Sequence, residues 1–307
     1  MRTVVTGGAG FIPSFLVEEL VNRGHHVRVL DDLSTGRLDN LGAVADRIEV
    51  IEGSILDREL LAKLAAETDH VFHGAVLSLE ESLTDPLKVH EVNATGTLAL
   101  LDAFRACRFV YLSSSEVYGT AQTPMMGEDH PLDPHTPYAA SKLAGEKYAA
   151  SFAVTHGTDT RIIRPFNAYG PRQRYRDFGG VVSIFAHRLL SRLPITLNAG
   201  GTQRRDLTHA ADLARGICDI AETDKLRNIP INLGAGTAPS VRDIADELCG
   251  QLGMDGSYEV GEARPGDVDE LIADVSRARQ TIAWVPQVDF ATGIADVIDW
   301  MRGELTQ

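Results

Sequence analysis

The sequence contains few cysteines, and no two of them are close together. Cys107, Cys218 and Cys249 are far apart in a chain of 307 residues and form no CxxC motif. This pattern excludes a disulfide framework and a cysteine-based zinc site. We expect three buried, reduced thiols, which are typical of a cytoplasmic protein.

Basic residues and long apolar runs are also scarce. The chain has 29 Lys and Arg residues against 43 Asp and Glu residues, and its formal net charge is −14 at pH 7. This charge repels the phosphates of nucleic acids and of anionic lipids, so we expect neither nucleic acid nor a membrane as a partner. No apolar stretch reaches the ~20 residues that span a bilayer. The opening MRTVVTGGAG has the pattern of a strand entering a loop rather than that of a signal peptide.

What the sequence does contain, up to about residue 165, is a regular alternation of short apolar runs and longer amphipathic segments. Runs such as VVT, VRVL and FVYLS lack polar alternation, which indicates parallel strands covered on both faces. Predicted strands occupy residues 3–6, 27–30, 49–51, 70–72, 109–113 and 161–163. Predicted helices between them occupy residues 12–23, 57–66, 86–106 and 138–155. Beyond residue 165, loops rich in Gly, Pro and Arg separate predicted helices near residues 181–191, 211–221, 241–252 and 293–301.

A glycine-rich loop follows the first predicted strand and precedes the first predicted helix. The loop reads TGGAGFI from Thr6 to Ile12. Its glycines let the backbone turn tightly and approach a pyrophosphate, which is then held at the helix N-terminus. With the alternation, the loop predicts an α/β fold: a Rossmann-type doubly wound parallel sheet with a smaller C-terminal α/β substrate-binding lobe. The expected division is residues 1–165 for the cofactor domain and 166–307 for the substrate lobe, with some chain crossover between them.

The second predicted strand ends in two acidic residues, Asp31 and Asp32. An acidic side chain about 20 residues after a glycine loop accepts hydrogen bonds from the hydroxyls of the adenosine ribose. Because a carboxylate repels a 2′-phosphate, NAD is favoured over NADP. We expect at least one of the two also to begin the turn DDLSTG. Arg37 lies close by and offers a positive charge to a 2′-phosphate.

A tyrosine and a lysine stand four residues apart in a predicted helix. Tyr138 and Lys142, in the segment YAASK, therefore lie on one face of that helix. A nearby cation stabilises a phenolate, so we expect the pKa of Tyr138 to lie below its usual value near 10. Ser113 and Ser114 end the preceding predicted strand and supply hydroxyl groups.

The motifs of this chain are similar, in order and spacing, to those of the extended short-chain dehydrogenase/reductase family. They read TGGAGFI, DDLSTGR, HGAV, VNATGT, YLSSSEVYG, PYAASK, RPFNAYGPRQ and ARPGD, essentially from end to end. The resemblance implies an NAD-dependent epimerase or dehydratase that acts on a nucleotide-diphosphate sugar through a transient 4-keto sugar. This chemistry needs no metal.

The resemblance also implies roles for individual side chains. Tyr138 takes the proton from a sugar hydroxyl, most often at C4, Ser114 hydrogen-bonds the same oxygen, and Lys142 holds the nicotinamide ribose. Besides Tyr138 and Lys142, the implied cofactor residues are Gly7, Gly10, Phe11, Ile12, Asp31, Asp32, Ser34, Gly36, Ser54, Ile55, Ala75, Asn93 and Ser113. The implied substrate residues are Ser115, Asn167, Val181, Arg205 and Arg264, of which Asn167, Arg205 and Arg264 fall where the nucleotide diphosphate is held.

Three segments depart from the family pattern. Pro13 stands where the family has its third loop glycine, and proline is bulkier where helix and strand pack closely. Ser54 stands where the family usually has the acidic residue that holds adenine, so Ser54 or Asp57 is the expected substitute. The usual HxAA pattern reads His73-Gly74-Ala75-Val76. We therefore expect an atypical adenine pocket.

Glu116 divides the subfamilies. Many 4-epimerases have a small or hydroxyl residue here, whereas 4,6-dehydratases and UDP-glucuronate decarboxylases carry glutamate. In dehydratases this glutamate removes the C5 proton. The neighbouring Asp of glucose dehydratases is Ser115 here, and the segments LEESLTDPLKVHEVNATGT and YGPRQRYRDFGGVVSIFAHRL resemble the 4-epimerases.

Three interpretations follow. The first is an NDP-hexose 4-epimerase, acting on a UDP-sugar. The second is a 4,6-dehydratase or a UDP-glucuronate decarboxylase that uses Glu116 as the C5 base. The third, which Pro13, Ser54 and Gly74 favour, is a non-catalytic dinucleotide-binding protein. For each enzyme the resemblance implies a homodimer formed through the predicted helices 86–106 and 138–155, and the reduced thiols indicate the cytoplasm.

Overall fold

Strands and helices alternate through the first half of the chain. The structure is a computed structural model that describes residues 1–176, 179–256, 258–262 and 270–306. In chain order the first-half elements are β1 Arg2–Thr6, α1 Phe11–Asn22, β2 His26–Asp31, β3 Ile48–Glu52, α2 Arg58–Ala65, β4 His70–His73, α3 Leu79–Thr84, α4 Pro86–His90, α5 Thr97–Ala103, β5 Arg108–Leu112, α6 Pro137–Thr155 and β6 Asp159–Pro165.

The second half is more irregular, with short strands between helices. Its elements are β7 Asn167–Tyr169, α7 Val181–Leu190, β8 Thr196–Asn198, β9 Arg204–Arg205, β10 Leu207–His209, α8 Ala210–Glu222, β11 Pro230–Leu233, α9 Val241–Leu252, β12 Glu259–Gly261, β13 Glu270–Leu271, α10 Ser276–Ile282 and α11 Phe290–Thr306.

Seven strands form one parallel sheet in the order β11-β6-β5-β4-β1-β2-β3. Successive side chains of a strand point to opposite faces, so Val4 and Val5 enter different cores. Helices α1 and α8 pack on one face of the sheet, and α2, α5 and α6 pack on the other. The sheet is therefore covered on both faces, which confirms the predicted doubly wound α/β fold.

The predicted helix 86–106 is wrong in its extent. The segment consists of α4, a π-helical turn Glu91–Gly96 and α5, and it ends at Ala103. An additional helix, α3, precedes it, because Ser78 and Glu81 form a capping box in which each side chain pairs with the other residue's backbone N–H. Asp85 then caps α4 through the backbone N–H of Lys88.

A second core lies among the helices of the later half. Helices α7, α9 and α11 bury apolar side chains against one another, and strands β8 and β10 add to this cluster. The chain also returns to the large sheet, since β11 pairs with β6 and α8 packs on α1. Residues after 165 therefore complete one edge and one face of the sheet.

The three cysteine side chains lie inside the fold. Cys107, Cys218 and Cys249 are all buried free thiols, as expected. Among the helices that the structure describes, none is long and apolar enough to cross a membrane.

Candidate functional site

A cleft of about 780 Å³ runs along the carboxyl ends of the central strands. Its lining includes residues at the ends of β1, β2 and β4. The strand order reverses between β1 and β4, which is the usual ligand site of doubly wound sheets. Most of the expected cofactor and catalytic residues line this cleft, namely Gly7, Gly10, Phe11, Ile12, Asp31, Asp32, Ser34, Ser54, Ile55, Ala75, Ser113, Ser114, Tyr138 and Lys142.

The glycine loop forms a backbone cradle at one end of the cleft. Gly7 has φ +68°, and a Cβ there would lie 2.6 Å from Cα of Ala75, so only glycine fits. The amide of Gly10 donates to the carbonyl of Gly7 at 2.9 Å and closes the turn. Helix α1 then begins at Phe11, and the amides of Phe11 and Ile12 precede its first intrahelical hydrogen bond. This arrangement suits a pyrophosphate.

Asp31 lies buried at the end of β2. Its carboxylate accepts hydrogen bonds from the amides of Ala9 and Leu33, both at 2.9 Å. Burial raises the pKa of Asp31, and these two hydrogen bonds oppose the rise. Gly36 does not line the cleft but lies against this carboxylate, where a Cβ would come within 2.9 Å of Oδ1. The loop after β2 therefore closes over an acidic group at the position expected for ribose recognition.

The neighbouring charged side chains, Asp32 and Arg37, pair with other groups of the protein. Asp32 accepts hydrogen bonds from the amide and the hydroxyl of Ser34 and so forms the turn. Arg37 donates to Glu304 of α11 at 2.6 Å and to Asp39 at 3.1 Å. The positive charge of Arg37 is therefore neutralised. Together with the buried Asp31, this geometry fits NAD, whose adenosine ribose has a free 2′-hydroxyl.

The two expected substitutes for the missing adenine-binding acid differ in position. Ser54 lines the cleft, and its hydroxyl accepts from the amide of Leu56 at 3.1 Å. Asp57 is exposed, and its carboxylate caps α2 by accepting from the amides of Glu59 and Leu60. Only Ser54 of these two is at the cleft.

Asn93 differs from the other expected cofactor residues because it lies beneath the cleft. It is buried in the π-helical turn, and its amide group pairs with both the N–H and the C=O of Leu77. It also donates to the hydroxyl of Ser141 at 3.1 Å. Asn93 therefore fixes the loop after β4 against α6.

Tyr138 is set in the first turn of α6, which begins at Pro137 behind the Thr136 cap. Ser114 lines the same cleft as the phenol. Burial raises the pKa of Tyr138 to about 12, the nearby Ser114 hydroxyl lowers it, and the charges of Glu116 and Glu80 raise it. The expected lowering of this pKa is therefore wrong, because removing the phenol from water outweighs the favourable contacts.

Lys142 lies one turn further along α6 and is buried. Its ammonium group stands 4.6 Å above the ring of Tyr111, whose hydroxyl donates to the Lys142 carbonyl at 3.1 Å. Burial lowers the pKa of Lys142 to about 7, and the charge of Glu146 opposes this. Gly145 allows the close approach, since a Cβ there would lie 2.2 Å from the Tyr111 hydroxyl. The amino group of Lys142 is therefore only partly protonated near neutral pH.

The structure contains a buried ion pair near Tyr138 and Lys142, between Glu146 and Arg164, that the sequence analysis did not identify. Glu146 accepts from the Ser113 hydroxyl at 2.5 Å and from two guanidinium nitrogens of Arg164 at 2.7 and 2.8 Å. Arg164 also donates to the Tyr118 hydroxyl at 2.9 Å. The spacing of Tyr138, Lys142 and Glu146, four residues apart each time, is the signal that would have found it.

Glu116 faces charged groups of both signs. Burial raises the pKa of its carboxyl group, the charges of Arg205 and His135 lower it, and the charge of Glu80 raises it. Glu116 follows Ser114, whose hydroxyl accepts from the Glu116 amide at 3.2 Å, and Ser115 between them is buried. The site therefore contains a carboxyl group that binds protons more tightly than a solvated one.

The expected substrate residues lie on several elements of the later half. Asn167 begins β7, and its Nδ2 is buried without a hydrogen-bond partner among the described residues. Arg205 lies in β9, and Val181 begins α7 and packs against the second core. Arg264 lies outside the described residues. A buried donor without a partner suits a ligand oxygen.

Arginines from the loop after β7 also line the cleft. Arg172 donates to Ser14 at 3.2 Å and to Glu18 at 2.5 Å, and its guanidinium lies 4.4 Å above the ring of Phe15. Arg174 and Arg176 line the same cleft. Arg172 is therefore paired with α1, whereas Arg174 and Arg176 bring positive charge to the cleft.

Known proteins match this chain over nearly its whole length. The family model described as GDP-mannose 4,6 dehydratase matches residues 4–297. The UDP-glucose 4-epimerase of Mycolicibacterium smegmatis is 36% identical over 99% of each chain. A UDP-glucose 4-epimerase structure from Thermotoga maritima, with UDP-glucose, superposes with a TM-score of 0.93 at 30% identity, covering 99% of this chain and 100% of the other. The dTDP-glucose 4,6-dehydratase DesIV of Streptomyces venezuelae, with NAD and TYD bound, gives 0.91 at 31% identity, covering 100% and 98%.

Proposed function

Since the chain belongs to the extended short-chain dehydrogenase/reductase family of NAD-dependent nucleotide-sugar epimerases and dehydratases, we propose that it is a nucleotide-sugar 4-epimerase. The observation that carries this proposal is that Tyr138, Lys142 and Ser114 line the same cleft as Asp31 and the glycine loop. A UDP-hexose is the proposed substrate, because UDP-sugar epimerases are prominent among the relatives.

The proton transfer is assigned to Tyr138. Its phenolate form accepts the proton of the sugar C4 hydroxyl and returns it to the same oxygen after the keto sugar has turned over, and Ser114 is assigned to hydrogen-bond that oxygen. Lys142, buried one turn away on α6, is assigned to favour the phenolate when its amino group is protonated. NAD, when bound, accepts the C4 hydride and returns it to the other face. Ser113, Glu146 and Arg164 hold the end of β5 and α6 together beneath these groups.

The diphosphate is assigned to the later half of the chain. Asn167 offers a buried donor that lacks a partner among the described residues, and Arg205 brings a positive charge toward Glu116. Arg264 is proposed as a third group on the grounds of its motif alone. Arginine suits this task because its planar donors match phosphate oxygens in pairs.

An epimerase needs no base at C5, so Glu116 is proposed as a group that binds the sugar. A hydrogen bond from its protonated form, or to its carboxylate, orients a hydroxyl. Ser115, beside it, cannot supply the second acid that glucose dehydratases place there.

The decisive experiment incubates the enzyme and NAD with UDP-, dTDP- and GDP-hexoses in heavy water and follows products by mass spectrometry and NMR. We expect a C4 epimer without deuterium at C5. Tyr138→Phe is expected to lower kcat by ~10³-fold, whereas Tyr148→Phe on the same helix is the matched control. If no pair of C4 epimers interconverts, the proposal fails.

A 4,6-dehydratase is the second candidate, and the raised pKa of Glu116 favours it. A carboxylate with a raised pKa is a stronger base in its ionised form, which suits removal of the C5 proton. The same incubation then yields loss of water with deuterium at C5, and Glu116→Gln abolishes the labelling. A decarboxylase would release carbon dioxide from a UDP-uronic acid instead.

We further propose that the enzyme is a homodimer in the cytoplasm. Leu83, Leu87, Leu98 and Val154 are exposed on α3, α4, α5 and α6, which are adjacent helices on one side of the sheet. Exposed leucines and valines grouped in this way mark an interface. The three buried thiols suit a reducing compartment.

A further inference from the structure

Pro13 and Gly74, which both line the cofactor cleft, pack against each other. Pro13 is in the first turn of α1, and Gly74 directly follows β4. A Cβ on Gly74 would lie 2.7 Å from Cγ of Pro13 and 3.2 Å from the carbonyl oxygen of Thr6. Carbon atoms in contact prefer roughly 3.5–4.0 Å. The proline ring therefore occupies the space that a side chain at residue 74 would need.

Neither side of this contact moves easily. The ring of Pro13 is rigid and buried, and the Ser14 amide donates to Gly10 at 3.1 Å in the same turn. On the opposite side, the amide of Gly74 donates to the Thr6 carbonyl at 3.1 Å. A methyl group at residue 74 would therefore displace the first turn of α1 or the loop after β4.

We propose that Pro13 and Gly74 form a complementary pair that positions the first turn of α1 for NAD. That turn carries the amides of Phe11 and Ile12, which lie where strands β1 and β4 are neighbours and the strand order reverses. The proline at residue 13 and the glycine at residue 74 are thus matched in size, and changing one affects the packing of the other. The inference concerns the cofactor alone and holds for either sugar reaction.

A double-mutant cycle tests the pair. NAD affinity is measured by calorimetry, and thermal unfolding is followed without added NAD. Gly74→Ala is expected to weaken NAD binding about tenfold and to lower Tm by ~3 °C, because it overpacks the contact. Pro13→Gly is expected to weaken binding about threefold, because it empties the contact. The double variant is expected to bind within about threefold of the wild type.

Recovery in the double variant separates a paired contact from two independent defects. Gly250→Ala is the control, because a Cβ there meets nothing within 4 Å, and it is expected to leave NAD affinity unchanged. The proposal is overturned if Gly74→Ala binds NAD as the wild type does, or if the two effects multiply in the double variant. If Gly74→Ala does not fold, a folded, NAD-binding double variant supports the pair, and an unfolded one refutes it.

Discussion

At the scale of single residues, the site holds ionisable groups in environments that oppose their charged forms. Burial raises the pKa of Tyr138 to about 12, lowers the pKa of Lys142 to about 7 and raises the pKa of Glu116. Removing a charge from water costs free energy that the fold must offset elsewhere. The burial of Lys142 in particular is expected to lower the stability of the protein, as is common for groups placed for catalysis.

We therefore expect Lys142→Met to abolish turnover and raise the melting temperature. The folded-state pKa lies below the unfolded value of 10.5, so the cost of burying the ammonium is fully present below pH 7 and falls as pH rises toward 10.5. The gain is expected to be at least ~2 °C at pH 6.5, which corresponds to roughly 1 kcal/mol, and to shrink by pH 9.5. Differential scanning calorimetry of both proteins measures this.

The control is Lys147→Met on the same helix, where the side chain is exposed. It is expected to change Tm by less than ~1 °C at either pH. A Lys142→Met variant less stable than the wild type at pH 6.5 would show that the ammonium stabilises the fold.

At the scale of elements, the C-terminal helix α11 is tied to the loop after β2. Glu304 is only 12% exposed and binds the guanidinium of Arg37 at 2.6 Å. The Arg37 amide in turn donates to the carbonyl of Ala9, whose own amide donates to Asp31. Helix α11 thus pairs with a cation that lines the same cleft as Asp31. If the ribose binds at Asp31, this pairing favours NAD over NADP.

Glu304→Gln is accordingly expected to tighten NADP binding about fivefold, roughly 1 kcal/mol, because the partly freed Arg37 can pair with the 2′-phosphate. Affinity for NAD is expected to change less than twofold. Calorimetric titration with each dinucleotide measures the ratio of the two dissociation constants. Asp39→Asn, which changes the more exposed partner of Arg37, is the comparison and should have the smaller effect. An unchanged ratio in Glu304→Gln would assign the selection to Asp31 alone.

At the scale of the whole molecule, an exposed apolar surface lies on α3 to α6. Leu87 on α4 is 82% exposed and Val154 on α6 is 79% exposed, although α4 packs on α6 and α6 packs against the sheet. Burying such side chains in a second copy would contribute about 25 cal/mol per Å² of apolar surface. The division into lobes at residue 165 stays a prediction, and α8 and β11 show where the later half contributes to the large sheet.

The proposed homodimer predicts that Leu87→Asp yields a monomer. A charge at the interface would be desolvated without a partner, so dimers should dissociate at micromolar concentration. Light scattering after size-exclusion chromatography measures the mass. Val285→Asp, at an exposed position outside these helices, is expected to leave the dimer intact. A monomeric wild type would refute the proposal.

The sequence by itself determined the strands of the first half and most of the longer helices, because their signals are local. Apolar runs and helical spacing lie within a few residues of one another, so strands β1 to β6 and helix α6 could be predicted, as could the end of the sheet at which the glycine loop lies. The failure at residues 86–106 has a local cause too, since the apolar spacing continues through the π-helical turn and conceals it.

Only the tertiary structure decided which distant residues meet. Pro13 and Gly74 are 61 positions apart as numbered, and Arg37 and Glu304 are 267 apart. Helical or strand periodicity carries no information over such separations. In the sequence alone, Pro13 and Gly74 are only departures from the family pattern, and Arg37 and Glu304 are only charged residues. The pKa of Tyr138 is also decided by the tertiary structure. The sequence shows its neighbour Lys142, but the largest effect on this pKa is burial, which exists only once the chain has folded.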